Sequence, residues 1–276
     1  MGMSRKHKDA FKLAHPTCIF CGGANPMTTI EHCPPRAMFQ NREWPEGFEF
    51  PACGSCNHGS ADDDLIISLL ARLDPFSGSG GDDGRLPLLA SSIRQQHPGL
   101  ISRMYPTPGE ARKLNRSLGL LVAKGKTQQE SGVAKVLPEM HRAVEVFAAK
   151  LAKAIFYKET NTIFPVTGDL LMKWSANSEL VTQGSYTLLN TLADLPGHSP
   201  NLKRGKNVLN KQFSYALSIS EGNELFAIRA VFGRGFALVV FGNTQPGGLE
   251  NHYKTVEEIT GSRTSFTVIH PRPARL

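Results

Sequence analysis

Apolar and polar positions along this chain follow three different rhythms. From Ser60, the residues Leu65, Ile66, Leu69, Leu70 and Leu73 recur at helical spacing behind Asp62, Asp63 and Asp64, with Ser60 placed to cap the helix and Asp74-Pro75 to end it. Helical spacing returns over 86–97 and 108–123, and the polar stretch 124–135 reads as a loop. A long amphipathic helix is expected over 138–158, with Ala143, Val146, Phe147, Leu151 and Ile155 on one face. Shorter helices are expected at 168–180 and 186–193. The period then falls to two in Phe213–Ile219 and Leu225–Phe232, and Gly233-Arg234-Gly235 turns the chain into the apolar run 236–241. With a further strand at 265–270, these runs predict an antiparallel meander and an α+β class overall.

The first sixty residues keep neither period for long. Residues 4–14 suit a short basic helix, and 15–57 are rich in Cys, Pro and Gly, as in a small unit held by something other than its core. Ser77-Gly78-Ser79-Gly80-Gly81-Asp82-Asp83-Gly84 has linker composition. The expected organisation is a compact module over 1–76, a flexible linker over 77–85 and an α+β part over 86–276, helical through 86–193 and β-rich over 211–276.

Composition narrows the setting. The 276 residues are enough for a substantial core, and no apolar run approaches the ~20 residues of a membrane span. The basic N-terminus is followed by no apolar stretch of the secretory kind, so a cytoplasmic protein without a membrane partner is expected. The net charge of +7 is unevenly placed: residues 1–75 hold seven Lys/Arg against nine Asp/Glu, a balance of −2, which leaves +9 downstream. That sign suits a polyanion, and Lys203, Arg204 and Lys206 form a basic loop able to contact a nucleic-acid backbone.

All five cysteines lie within the first 56 residues. Cys18-x-x-Cys21 and Cys53-x-x-Cys56 each present two thiolates to one ion, and together they predict a tetrahedral structural zinc site. Cys33 is left over and is expected to pack as a small apolar residue. Between the two pairs lies Glu31-His32-Cys33-Pro34-Pro35, and directly after the second pair comes Asn57. On an extended strand Glu31 and His32 point to opposite faces, so one can serve a metal while the other reaches a water.

Cys-x-x-Cys, acidic-His-x-x-Pro and Cys-x-x-Cys-Asn in this order resemble the HNH, or ββα-metal, nuclease superfamily. The branch it resembles is stapled by four cysteines and includes phage junction-resolving endonucleases. The resemblance covers residues 15–72 and implies a two-strand element over 28–52 and a helix beginning near Asn57. It implies His32 as the general base, Glu31 and Asn57 as ligands of a catalytic Mg2+ or Mn2+, and double-stranded or branched DNA as substrate. Arg36, just after the motif, would hold the scissile phosphate. The chain departs from the commonest pattern in carrying Glu31 for Asp, Asn57 for His and Phe48 where a middle Asn is usual, with Asn41 near but out of register. Two other readings are a zinc-held nucleic-acid-binding module without catalysis and an HNH effector joined to a ligand-sensing domain. The downstream part is expected to bind nucleic acid, form a homo-oligomer or sense a signal.

Overall fold

The computed structural model describes residues 5–76, 84–249 and 266–270. Residues 77–83 of the expected linker lie outside the described residues. Helix α1 (Arg5–Ala14) leads into the cysteine-rich unit, where strands β1 (Thr29–His32) and β2 (Glu49–Ala52) pair antiparallel, Thr29 opposite Ala52 and His32 opposite Glu49. Helices α2 (Gly54–His58) and α3 (Ala61–Arg72) follow directly, so the two strands and helix implied by the motif are present. Next come α4 (Arg85–Gln96), α5 (Leu100–Met104) and α6 (Pro108–Ser117). A capping box between Thr107 and Glu110 opens α6, and it stops short of the expected 123 because Gly119 adopts a left-handed φ of 65° just past its end.

Helix α7 (Pro138–Thr160) is the spine of the molecule. Pro138 starts it and Asn161, in the left-handed region, closes it. It buries residues on nearly all sides because α3 packs on one flank and the main sheet on another. That sheet contains β3 (Asp169–Ala176), β6 (Ser214–Ile219), β7 (Leu225–Phe232), β8 (Phe236–Asn243) and β9 (Thr267–His270), in the order β6-β7-β8-β3-β9 with every pair antiparallel. Between β3 and β6 the chain forms α8 (Ser178–Gln183), α9 (Thr187–Thr191) and a two-stranded hairpin of β4 (Lys203–Arg204) and β5 (Asn207–Val208). The meander and the α+β class are as expected from the pattern.

One element differs from the expectation. The helix anticipated over 168–180 is strand β3, set between β8 and β9, and only Ser178–Gln183 is helical. Its apolar triplet Leu170-Leu171-Met172 is buried on alternate faces of a covered sheet. Leu170 and Met172 join the main core, and Leu171 joins a second cluster with Leu188, Leu192, Val239, Leu249 and Phe266. A short apolar run buried on both faces carries no period that separates strand from helix.

The cysteine-rich unit and the sheet share one apolar cluster. Phe48 is fully buried, edge-on to Phe213 at 5.7 Å between ring centres, and Phe213 stacks on Phe232 at 5.0 Å. Phe232 in turn meets Phe147 of α7 at 5.2 Å. Phe48 thus joins the hairpin to the sheet and has a packing role. Among the described residues no helix is long and apolar enough to cross a membrane.

Candidate functional site

The four paired cysteines converge. Cys18 and Cys21 lie in a tight turn in which Gly23 N–H donates to the Cys18 carbonyl at 2.9 Å. Gly22 sits in that turn at φ 66°, where a Cβ would come within 2.4 Å of the Val166 side chain. Cys53 precedes α2 and Cys56 lies within it. All four Sγ atoms fall within 4.8 Å of one another, and none is in a disulfide. An ion bonded at about 2.3 Å to four tetrahedral sulfurs sets them about 3.8 Å apart, so the cluster can close on one ion, and four thiolates are the donor set of structural zinc. Without an ion the thiols compete for protons: the Cys56 hydrogen bond draws Cys18 down to about 4, while Cys56 itself is driven up. Cys33 is buried outside this cluster, and burial holds its thiol well above the ordinary value.

Strand β1 turns Glu31 inward and His32 outward. Glu31 is 6% exposed, and Lys150 of α7 is 8% exposed. The Lys150 ammonium donates to Glu31 Oε1 at 2.7 Å, Ser60 Oγ at 2.7 Å and Asp64 Oδ2 at 2.8 Å. Burial pushes the Glu31 carboxyl up against the pull of Lys150. For Lys150, burial works against the charge, but Asp64 and Glu31 outweigh it and hold the ammonium above its usual range. The distances are those of a charged lysine between two carboxylates. Ser60 does precede α3, but its hydroxyl makes no capping bond to the helix backbone and serves Lys150 instead. Asn57 comes to the same side of β1: its Nδ2 donates to Thr29 Oγ1 at 2.7 Å, and Thr29 shares a strand face with Glu31.

These residues do not fit the divalent cation that the family resemblance implies. The carboxylates that would hold it already face an ammonium, and the Asn57 side chain is turned by its Nδ2 donation to Thr29 Oγ1. A second positive charge in this buried cluster would meet direct repulsion.

The His32 face has a different chemistry. The half-buried imidazole stands edge-on to Trp44 at 4.7 Å between ring centres. Two guanidiniums lie over the same indole, Arg36 at 4.1 Å and Arg204 at 3.8 Å from its centre. Arg42 is exposed beside them, and both it and Asn41 hold positive φ, 57° and 52°. Such a conformation costs a non-glycine residue about 1–2 kcal/mol, so local packing must hold this turn. Glu49, opposite His32 in the hairpin, accepts from Trp44 Nε1 at 3.0 Å and lies 3.9 Å from Arg204. Burial and the nearby Arg36, Arg204 and Arg42 charges lower the His32 pKa to about 4, which leaves a neutral imidazole at physiological pH.

The basic loop expected at 203–206 is the β4–β5 hairpin, docked on the cysteine-rich unit. Glu46 N–H donates to the Lys203 carbonyl at 3.0 Å, Gly205 N–H donates to Glu46 Oε1 at 2.8 Å, and Asn207 Nδ2 donates to Glu43 Oε2 at 2.8 Å. Arg204 therefore reaches His32 across 172 positions of sequence, while Lys203 and Lys206 stay exposed on the hairpin. The structure brings Arg36 and Arg204 together at His32 and keeps Glu31 on the opposite, closed face. Sequence reasoning missed Trp44, Arg42 and Lys150. One of only two tryptophans, set between Arg42-Glu43 and Pro45, was a signal available for the first two. Comparison of the chain with models of known families, with characterised proteins and with solved structures finds no match.

Proposed function

We propose that the protein is a zinc-stapled nuclease of HNH type that seats a phosphodiester of double-stranded or branched DNA against His32. The observation that carries this reading is the His32 imidazole packed on Trp44, with Arg36 and Arg204 over the same indole and Arg42 nearby, contributed by segments distant in sequence. Guanidiniums match phosphate oxygens in shape and charge, and Lys203 and Lys206 extend the cationic surface along a backbone. Neutral His32 takes a proton from water as the water oxygen attacks phosphorus. The bond from phosphorus to the leaving sugar oxygen breaks, and that oxygen takes a proton from solvent. The arginines offset the charge that develops on the phosphoryl oxygens. Zinc on Cys18, Cys21, Cys53 and Cys56 would hold the turn and α2 that frame β1.

A second reading, nucleic-acid binding without cleavage, draws on the closed Glu31–Lys150 cluster. Plasmid nicking by the full-length zinc-loaded chain separates the two. The nuclease reading expects nicking that falls about a hundredfold or more in His32→Ala with zinc and fold retained. Wild type that retains plasmid but never nicks it, with or without added Mg2+ or Mn2+, establishes the binding reading.

A further inference from the structure

We infer that Lys150 is the resident cation of the Glu31–Asp64–Ser60 cluster, standing where a divalent ion would otherwise be held, so that the phosphodiester site on the other face of β1 works without a hard metal. The functional half of this inference rests on the nuclease reading above. Three oxygens, from Glu31 on β1, Ser60 just before α3 and Asp64 in α3, converge on a single point, and Lys150 Nζ occupies it at 2.7, 2.7 and 2.8 Å. Two carboxylates and a hydroxyl are a donor set for a hard cation. Here a covalently attached ammonium occupies its centre from α7, 119 positions away in sequence, while Asp64 Oδ1 stays buried without a hydrogen-bond partner. The lysine is held in place twice over. It lies in the fully packed middle of α7, and Lys153, one helical turn on, donates to the Phe20 carbonyl inside the Cys18–Cys21 turn at 3.0 Å. Both lysines are buried, so an incoming ion must displace an ammonium already paired with both carboxylates. Charge relief for a bound phosphodiester then falls to Arg36, Arg42 and Arg204.

Titration of the full-length zinc-loaded protein with Mn2+, followed by calorimetry and electron paramagnetic resonance, tests this directly. Wild type is expected to bind no Mn2+ that Glu31→Gln removes. Lys150→Ala is expected to gain one sub-millimolar Mn2+ site, abolished again in Lys150→Ala/Glu31→Gln. A Glu31-dependent Mn2+ site in wild type overturns the inference, and so does a folded Lys150→Ala that gains none. Should Lys150→Ala fail to fold, the wild-type titration against Glu31→Gln still decides. Nicking by wild type in metal-depleted buffer, unchanged when Mg2+ is added, is the expected functional counterpart. A strict requirement for added Mg2+ would contradict it. Failure of the nuclease reading shows as an absence of nicking under every condition, whereas failure of this inference shows in the Mn2+ titration.

Discussion

Glu31 and His32 are neighbours on one short strand, yet the two faces of β1 have been put to opposite uses. The Glu31 face is sealed: Lys150 is paired with Glu31 and Asp64 inside the protein, and the cluster is bounded by α3 and α7. The His32 face is open: its charges are in excess, two of its arginines rest on one indole, and a third stands in solvent. Strand alternation alone separates them by the thickness of the hairpin. The contrast teaches that a motif read as one constellation can be divided, with its acidic member built into the fold and its histidine left on a cationic face. A closed ion cluster tolerates little substitution, whereas an open cationic face can lose a residue at the expense of function alone.

The largest effect should come from the cysteine cluster. Cys53→Ser or exhaustive chelation should melt the unit around β1 and β2, since zinc supplies about 10–16 kcal/mol in comparable small units. Loss of the cooperative thermal transition for this region, monitored by Trp44 fluorescence in a Trp174→Phe background, would show it, and an unchanged transition after verified zinc removal would break the account. Next comes the sealed face. Lys150→Ala leaves Glu31 and Asp64 uncompensated and should cost about 3–5 kcal/mol in urea denaturation. Phe48→Ala should cost a similar ~3–5 kcal/mol by opening a cavity between the hairpin and the sheet. Phe48→Asn, which places there the residue of the commonest HNH pattern, should also destabilise, because the site is packed by Phe50, Phe213 and Tyr215.

The open face should give smaller changes in stability and clear ones in function. His32 is held neutral by burial and by the arginines, so its folded pKa of about 4 lies below the ordinary value of 6.5. A lowered value means the group favours the native state above the ordinary pKa, a contribution that fades as pH falls through 6.5 towards 4. The acid limb of kcat/KM for nicking should accordingly lie near pH 4, and Arg36→Ala should move it upward. An acid limb at 6.5 in wild type would mean that neither burial nor the arginines act on the base.

Much of the site was legible because it is local. Two Cys-x-x-Cys pairs, an acidic-His dipeptide and an Asn fall within 40 residues, and the hairpin and helices that carry them follow from the same segment. Lys150 was not legible, because a lysine on a long amphipathic helix is ordinarily solvated and only tertiary packing brings it to Glu31. Arg204 was legible as part of a basic loop but not as a neighbour of His32, since their approach depends on the β4–β5 hairpin docking at Glu43–Glu46. Strand β3 escaped for a different reason. Its residues are buried on both faces, and the alternation that betrays β6 and β7 is absent from it.

The most direct test of the central claim, that a phosphodiester sits at His32 among the arginines, is the salt dependence of duplex DNA binding by wild type and Arg36→Ala/Arg204→Ala, measured by fluorescence anisotropy. The account predicts that the double variant stays folded, binds more weakly on duplexes of any sequence, and shows a log Kd against log salt slope shallower by about 0.9 for each phosphate that the two arginines neutralise in wild type. Unchanged affinity and slope in the folded double variant would contradict it.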